Sequence, residues 1–249
     1  MLFYDSSELA FPTTGVRFVH QGKTYQRPYI IFNMVASVDG KTTTRNVTLT
    51  GLSSRFDRQI MGQIRAAVDA ILVGGRTLRH DPFVPTLSEE LLREKQRSQP
   101  LGVVVSRSGD LPANHRFWSG NKEERIVFVA GSTPDWLEQK AKVVHFSGDL
   151  AEVLDILYDR LRVRVLLLEG GASLNYQFIE QGWADEFFLT ISPILVGGAD
   201  NLGILGGEGY GMGNRPPTLQ LVSVHRHQDE LYLRYRLRRT GMAGLEPST

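Results

Sequence analysis

The sequence lacks cysteine, an excess of charge of either sign, and any long apolar run. With no cysteine among 249 residues, the chain can form neither a disulfide nor a thiolate-bound zinc site. Its 28 basic and 27 acidic side chains are too balanced for binding along a nucleic-acid backbone, although a few arginines could hold a small anion. No stretch approaches the roughly 20 apolar residues that cross a bilayer, and the start does not resemble a signal peptide. We therefore expect a cytoplasmic protein that binds neither membranes nor nucleic acids.

Several catalytic signatures are missing as well. No Gly-x-Gly-x-x-Gly follows a predicted strand, so the Rossmann dinucleotide fingerprint is absent. No Gly-x-Ser-x-Gly nucleophile elbow occurs either. The six histidines show no metal-binding spacing. His225 and His227 would share one face of a strand but have no third ligand nearby, so we predict no metal site.

The sequence does contain an alternation of short apolar strands and helices, which indicates an α/β fold. Strands are predicted over 28–37, 68–73, 101–105, 125–130, 142–146, 163–168 and 186–196, and helices over 53–67, from 133, over 149–162 and over 173–181. This order predicts a mainly parallel central sheet with helices on both faces. Two closing strands, 218–227 and 230–239, predict a C-terminal antiparallel hairpin. Because no linker divides the chain, we expect one domain over 28–240, with an N-terminal extension over 1–27 and a tail over 241–249.

Two predicted strand ends carry residues suited to phosphate, and ligands in open α/β sheets bind beyond the carboxyl ends of the strands. Residues 74–77 read Gly-Gly-Arg-Thr; glycines allow close approach of the backbone, and a helix start attracts anions. A tight turn that needs glycine only for its dihedral angles is the alternative. Ser106 and Arg107 could bind the phosphomonoester that distinguishes NADPH from NADH, unless Arg107 is simply solvated.

Two further strand ends combine charge with small residues. Glu169 follows a strongly apolar strand, and burying its carboxylate is costly unless a ligand amine or amide, or a neighbouring arginine, pairs with it. Gly170 and Gly171 come next and could cradle a pyrophosphate at a helix start. Residues 36–41 read Ala-Ser-Val-Asp-Gly-Lys, which would admit a flat ring beside two opposite charges. The alternative is a polar turn capped by its aspartate.

In this order and spacing, the motifs resemble the pyrimidine reductases of riboflavin biosynthesis, which have a dihydrofolate-reductase-like fold. The resemblance runs from about Arg27 to about Gly198. Its motifs are Arg27-Pro28-Tyr29, 36–41, 65–74, Asp81-Pro82, Glu169-Gly170-Gly171 and 191–198. It implies a homodimer that uses NADPH as hydride donor and a ribosylaminopyrimidine 5′-phosphate as substrate. Hydride transfer to C1′ of the ribose would give a ribitylamino product.

The resemblance also implies roles for individual residues. The implied cofactor contacts are Ala36, Gly74, Gly75, Arg76, Thr77, Asp81, Ser106, Arg107, Gly170, Gly171, Ala172, Ser173 and Leu174, within a run that extends to Gln177. The implied substrate contacts are Asn33, Ser37, Arg65 and Glu169, with Glu169 at the pyrimidine edge and Arg65 neutralising the 5′-phosphate. The candidate catalytic residues are Asp39, for proton delivery or ribose orientation, Lys41, for electrostatic assistance, and Glu169.

The residues leave several alternatives open. Relatives often carry an arginine shortly after the Asp-Pro motif, and residues 83–87 contain none. Arg79 or His80 could replace it, or the substrate could differ. An NADPH reductase of another heterocycle, such as a pterin, would use the same scaffold and the same edge contact at Glu169. A non-catalytic nucleotide-binding module would bind NADPH without turnover, since a fold does not guarantee activity.

Overall fold

The computed structural model describes residue 4 and residues 7–42, 51–96, 98–211 and 215–238. Within these ranges the strands are β1 (Val16–His20), β2 (Lys23–Arg27), β3 (Tyr29–Ser37), β4 (Ala70–Gly74), β5 (Leu101–Ser106), β6 (Arg125–Val129), β7 (Lys142–His145), β8 (Val165–Leu168), β9 (Glu186–Ser192), β10 (Leu219–His227) and β11 (Glu230–Leu237). The α-helices are α1 (Arg55–Ala66), α2 (Gly75–His80), α3 (Glu89–Lys95), α4 (Asp135–Lys140), α5 (Leu150–Asp159) and α6 (Ala172–Glu180).

Nine of these strands form one sheet in the order β10-β11-β9-β3-β8-β4-β5-β6-β7. The seven strands from β9 to β7 pair in parallel, and β11 joins β9 antiparallel. The C-terminal hairpin β10–β11 therefore adds one antiparallel edge, as predicted. Because parallel strands end at the same side of a sheet, the carboxyl ends of β3, β4, β5, β8 and β9 lie along one edge.

Helices cover both faces of the sheet because its central strands are apolar on both sides. All four residues of β8 are buried. Alternate residues of the central strands point to opposite faces of the sheet. On one face they pack in a core with α5 and α6, and on the other face in two cores with α1, α2 and α4. The predicted α/β architecture, with a mainly parallel sheet and helices on both faces, is confirmed. No described helix is both long and apolar enough to span a bilayer.

Local signals fix several element boundaries. α1 begins after Ser54, whose hydroxyl accepts a hydrogen bond from the Asp57 amide at 2.9 Å, as expected of an N-cap. The prediction of a strand over 186–196 was too long at its end, since β9 stops at Ser192. Pro193 has no N–H to donate to a neighbouring strand. The amides of Val196 and Gly197 donate instead to a side chain of the β3 turn.

The described structure also contains elements that the sequence pattern did not predict. β1 and β2 pair antiparallel, with Val16 opposite Arg27 at one end and His20 opposite Lys23 at the other. The residues of this hairpin show no clear apolar period. β2 packs against α5. α3 is a further short helix, started by the Ser88 hydroxyl, which accepts from the Leu91 amide at 3.3 Å. Polar exposed positions dominate these short elements, so apolar periodicity gives little signal for them.

Candidate active site

The glycine turns that follow β4 and β8 meet at the carboxyl edge of the sheet. The Gly74 amide donates to the Gly170 carbonyl oxygen at 2.9 Å. A Cβ added at Gly75 would lie 3.0 Å from Ser106 Cβ, and one added at Gly171 would lie 2.8 Å from Thr77 Oγ1. Such distances exclude larger residues unless their neighbours move. The three predicted phosphate motifs are therefore one cluster, lined largely by backbone.

Helix starts and free arginines surround this glycine cluster. Gly74 is the N-cap of α2, and Gly171 is the N-cap of α6. The first amides of each helix therefore lie at the cluster without helical acceptors. The side chains of Arg76 and Arg107 are exposed, and in the described part of the chain neither makes an ion pair. The arrangement combines N–H donors and positive charge, as phosphate binding requires.

Of two other predicted cofactor residues, Ser106 lies beside Gly75 of the cluster, whereas Asp81 lies at the opposite end of α2. The Ser106 hydroxyl is buried and accepts from the Gly109 amide at 3.2 Å, so it also holds the turn after β5. Asp81 ends α2, and its carbonyl oxygen contacts His115 Nε2 at 2.7 Å. Arg79, considered as a substitute phosphate ligand, donates to the Asp110 carbonyl oxygen at 2.6 Å.

On the α1 face of the sheet, Arg65 and Glu169 form a buried, two-bonded ion pair. Arg65 Nε donates to Glu169 Oε1 at 2.7 Å, and Nη2 donates to Oε2 at 2.6 Å. Arg65 Nη1 donates to the Val84 carbonyl oxygen at 3.0 Å, and its guanidinium lies 5.3 Å from the centre of the Phe83 ring. The sequence left two kinds of partner possible for Glu169, a ligand amine or amide and a neighbouring arginine. The structure shows the arginine.

This pairing compensates the buried positive charge of the arginine. Burial by itself would lower the pKa of Arg65, and the charge and hydrogen bonds of Glu169 more than offset that effect, so the pKa of Arg65 is raised. Arg65 thus stays cationic in a nearly dry setting. Residues 83 and 84, which follow the Asp-Pro motif, orient it. Their role was missed from sequence because their contacts are a ring face and a backbone carbonyl, which have no sequence signature.

Asn33 belongs to the same face as the ion pair. β3 pairs with β8 in parallel up to Phe32 and Leu168, so the next residues, Asn33 and Glu169, follow in register on the same face. Asn33 is half-buried. The structure therefore brings three of the four predicted substrate contacts, Asn33, Arg65 and Glu169, to one face.

The turn after β3 holds the remaining predicted residues. Ser37 Oγ donates to Asp39 Oδ1 at 2.7 Å and accepts from the Lys41 amide at 2.9 Å. The Asp39 carboxylate also accepts from the amides of Val196 at 3.0 Å and Gly197 at 2.7 Å. These bonds, led by that from Ser37, lower the pKa of Asp39 to about 2. Asp39 is therefore an ionised carboxylate at neutral pH and is unsuited to donating a proton.

Lys41 and the segment 197–206, here called the strap, connect this turn to α6. Lys41 Nζ donates to the Asn201 carbonyl oxygen at 3.1 Å, and the backbone of Lys41 bridges to Gly203. At its other end the strap donates from the Gly206 amide to the Ala172 carbonyl oxygen at 2.9 Å. The first residue of the glycine-rich run that begins at Gly206 is thus hydrogen-bonded to the start of α6.

A buried polar atom lies between the strap and the glycine cluster. Asn175 is fully buried; its Nδ2 donates to the Ile204 carbonyl oxygen at 3.0 Å and lies 3.5 Å from Met34 Sδ. Its Oδ1 has no partner within the described ranges. Buried acceptors are rarely left unpaired, so this atom is suited to a ligand N–H. Together with the glycine cluster and the free arginines, it gives a donor and acceptor set that fits an NADPH molecule.

Comparisons with known proteins give the chain a family. The family model described as the RibD C-terminal domain matches residues 28–233. A 2,5-diamino-6-ribosylamino-4(3H)-pyrimidinone 5′-phosphate reductase of Archaeoglobus fulgidus is 33% identical over 197 residues, which cover 74% of this chain and 89% of that protein. A reductase of the same name from Methanothermobacter thermautotrophicus is 29% identical, over 85% of this chain and 99% of that protein.

Solved structures share the fold. A RibD of Acinetobacter baumannii superposes with a TM-score of 0.74 at 22% identity, covering 85% of this chain and 58% of that one. A pyrimidine reductase-like protein of Corynebacterium diphtheriae gives a TM-score of 0.70 at 21% identity, over 85% and 92% of the two chains. The sequence resemblance is thus confirmed, and the chain belongs to the RibD C-terminal domain family, the pyrimidine reductases of riboflavin biosynthesis.

Proposed function

We propose that this protein uses NADPH to reduce 2,5-diamino-6-ribosylamino-4(3H)-pyrimidinone 5′-phosphate at C1′ of its ribose. The observation that carries the proposal is the placement of the glycine cluster and the Arg65–Glu169 pair on neighbouring strand ends. The two relatives described above that carry this reductase name support the diamino form of the substrate. When bound, NADPH supplies the hydride.

The glycine cluster is proposed to hold the dinucleotide. The backbone at Gly74, Gly75 and Gly171 allows close approach of the pyrophosphate, and the amides at the starts of α2 and α6 donate to it. Arg107 is proposed to bind the 2′-phosphate with its planar fork of donors. The unpaired Oδ1 of Asn175 would accept a hydrogen bond from an amide N–H of the cofactor.

The buried ion pair is proposed to hold the substrate. Arg65 has five N–H donors, and three of them are used in the contacts to Glu169 and Val84. Two donors therefore remain for a phosphate or a ring oxygen. Each carboxylate oxygen of Glu169 can accept a second hydrogen bond, from an amino group at the pyrimidine edge. Asn33, next to Glu169 in the register, is proposed to add an amide contact.

Asp39 and Lys41 are proposed to orient the reacting ribose and not to supply its proton. Asp39 stays ionised, and its acceptor bonds hold residues 196 and 197 in place. Lys41 holds the strap through the Asn201 carbonyl oxygen. Fixing these segments around the reacting carbon lowers the entropic cost of reaching a reactive geometry. We further propose that the active form is a homodimer.

The test is NADPH oxidation with separately supplied diamino and deaminated ribosylaminopyrimidine phosphates, followed by absorbance. Turnover with the diamino substrate is expected, with NADH used less well. Turnover only with the deaminated compound would overturn the substrate assignment. Turnover only with a dihydropterin would show that the substrate is another heterocycle. Tight NADPH binding without any turnover would indicate a non-catalytic nucleotide-binding module.

A further inference from the structure

A second buried arginine, Arg125, lies behind the residues that orient Arg65. Arg125 is the first residue of β6 and is 1% exposed. Its Nε donates to the Phe117 carbonyl oxygen at 2.7 Å, and its Nη2 donates to the Ser119 carbonyl oxygen and to Thr86 Oγ1, both at 2.8 Å. Thr86 belongs to the stretch after the Asp-Pro motif, here called the 83–87 loop. One guanidinium therefore joins this loop to the segment that precedes β6.

Two aromatic rings connect the two arginines. The Phe83 and Phe117 rings stack with their centres 6.1 Å apart and their planes at 24°. Arg65 Cζ lies 5.3 Å from the centre of the Phe83 ring, and Arg125 Cζ lies 5.5 Å from the centre of the Phe117 ring. Because ring faces attract cations, the four side chains form one continuous column from the Arg65–Glu169 pair to β6.

The 83–87 loop is held at both ends of this column. The Val84 carbonyl oxygen accepts from Arg65 Nη1, and two residues later the Thr86 hydroxyl accepts from Arg125 Nη2. The proline between them packs closely on β5, since a Cβ added at Gly102 would lie 2.7 Å from its Cγ. The two acceptors are so near in the chain that displacing the loop at Thr86 is expected to move the carbonyl that Arg65 uses.

The surroundings of Arg125 differ from those of Arg65. Its guanidinium is bonded mainly to carbonyl oxygens, and the Glu124 carboxylate is 3.7 Å away and partly exposed. Burial lowers the pKa of Arg125, and Glu124 offsets that effect only in part. An apolar side chain would avoid this desolvation cost. The planar fork of an arginine, however, holds acceptors from two segments in a fixed relative position, which an apolar side chain cannot do.

We infer that Arg125 is a positioning residue for the substrate: by holding the 83–87 loop, it keeps the Arg65 guanidinium in its paired orientation and leaves two of its N–H donors free. The inference rests on the proposed role of Arg65 in holding the substrate. Arg125 acts through the loop and the ring pair, from the far end of the column.

The first test observes Arg65 directly and does not depend on turnover. Arg65 Nε donates to Glu169 at 2.7 Å, so its N–H should exchange slowly with solvent in NMR spectra of the full chain. Loss of this signal in Arg65→Lys assigns it. In Arg125→Met we expect the exchange to become roughly tenfold faster or more, because the loop opens locally more often.

The second test separates substrate binding from the other steps. In Arg125→Met we expect KM for the pyrimidine to rise roughly tenfold or more, since a misplaced binding group weakens binding. kcat should change less than this KM. KM for NADPH should stay the same, because Arg125 is at the start of β6 and the glycine cluster lies at the carboxyl ends of β4 and β8.

Two other arginines provide matched controls. Arg164→Met removes a guanidinium that also donates to a backbone carbonyl and lies 4.1 Å from the centre of a ring, that of Tyr158, at the amino end of β8. Arg27→Met removes an arginine that is also 1% exposed and that pairs with Asp185 before β9. We expect both variants to lose stability in urea unfolding while the Arg65 signal and KM for the pyrimidine stay unchanged.

An unchanged exchange rate of the Arg65 Nε–H in Arg125→Met would overturn the inference. Equal acceleration in the controls would overturn it too, since it would indicate a general loss of stability. So would faster exchange without a rise in KM for the pyrimidine.

Should Arg125→Met fail to fold, Thr86→Val supplies the decisive measurement, because it removes only the exposed hydroxyl that Arg125 Nη2 holds. The same direction of change is expected. A wild type without turnover would count against the proposed reaction, and the exchange measurement would then decide the positioning role by itself.

Discussion

The two walls of the candidate site are built in different ways. The wall proposed to hold the cofactor, here called the cofactor wall, is mainly backbone: glycines at 74, 75, 170 and 171 and two helix starts, with exposed arginines beside them. The wall proposed to hold the substrate, here called the substrate wall, consists of two side chains already paired with each other, Arg65 and Glu169, which lie 104 positions apart in the sequence. We expect the cofactor wall to lose binding when a side chain is added to one of its glycines. We expect the substrate wall to lose binding when one partner of its ion pair is removed. The predictions below separate these two behaviours.

The largest effect is expected from Glu169→Gln. Removing one charge of a buried ion pair leaves Arg65 uncompensated, which typically costs about 3–5 kcal/mol of folding free energy. We expect that loss in urea unfolding. In the folded variant we expect kcat/KM for the pyrimidine to fall by roughly 100-fold or more, because a desolvated charge contact is lost.

The matched control for Glu169→Gln is Glu138→Gln on α4. NADPH affinity should change little in Glu169→Gln, since the pair lies on the opposite side of β8 from the residues that face α6. A variant with unchanged kcat/KM would remove Glu169 from the substrate wall.

Gly171→Ala tests the backbone wall. The added Cβ would lie 2.8 Å from Thr77 Oγ1, so either the Thr77 side chain or the turn at Gly171 must shift. We expect this displacement at the anion site to weaken NADPH binding by roughly tenfold or more. Isothermal titration calorimetry measures this. Gly211→Ala is the control, because nothing lies within 4 Å of a Cβ at that position. Equal NADPH affinity in all three proteins would contradict the close packing of the two turns.

Arg107→Ala should separate the two nicotinamide cofactors. If Arg107 binds the 2′-phosphate, its loss weakens NADPH by roughly tenfold, the scale of one charge-assisted contact, and leaves NADH unchanged. Arg93→Ala, which removes an exposed arginine of α3, is the control. Fluorescence titration with both cofactors decides the question, and an equal loss for both would contradict the assignment.

Asp39→Asn is expected to have the smallest effect, a fall in kcat of a few-fold without a change in its pH dependence. The pKa of Asp39 is lowered to about 2 from its ordinary 3.8, so its hydrogen bonds are fully formed above pH 4 and are lost only as the pH falls through about 2. A kcat profile from pH 5 to 9 should keep its shape in the variant. Disappearance of a limb in that range would mean that Asp39 exchanges a proton during turnover.

The two walls also differ in how far the sequence predicted them. Glycine pairs at strand ends are local signals, so the phosphate motifs around Gly74 and Gly171 could be located before the structure was known. Glu169 stood out because a carboxylate rarely follows so apolar a strand, yet its pairing with Arg65 was one of several options. The supporting carbonyl of Val84 and the strap contacts of Lys41 depend on tertiary placement, which residue type does not encode.

The elements of the fold were likewise predicted where the local sequence pattern was strong and missed where tertiary contacts decide the structure. Apolar strands such as β8 and amphipathic helices such as α5 were predicted within a few residues, because burial imposes a period on the sequence. β9 ended early because Pro193 and the amides donating to Asp39 stop the pairing. The hairpin β1–β2 escaped prediction because no residue of β1 is fully buried and the exposed Val19 interrupts the alternation of apolar and polar residue types.

The most direct test of the account is isotope transfer. The protein would be incubated with the diamino pyrimidine phosphate and NADPH deuterated at C4 of the nicotinamide, with each of the two faces labelled in turn. The account predicts that one of the two labelled cofactors gives a ribitylamino product carrying deuterium at C1′, seen by mass spectrometry and NMR. Product without deuterium from both cofactors, or deuterium at another carbon, would contradict it.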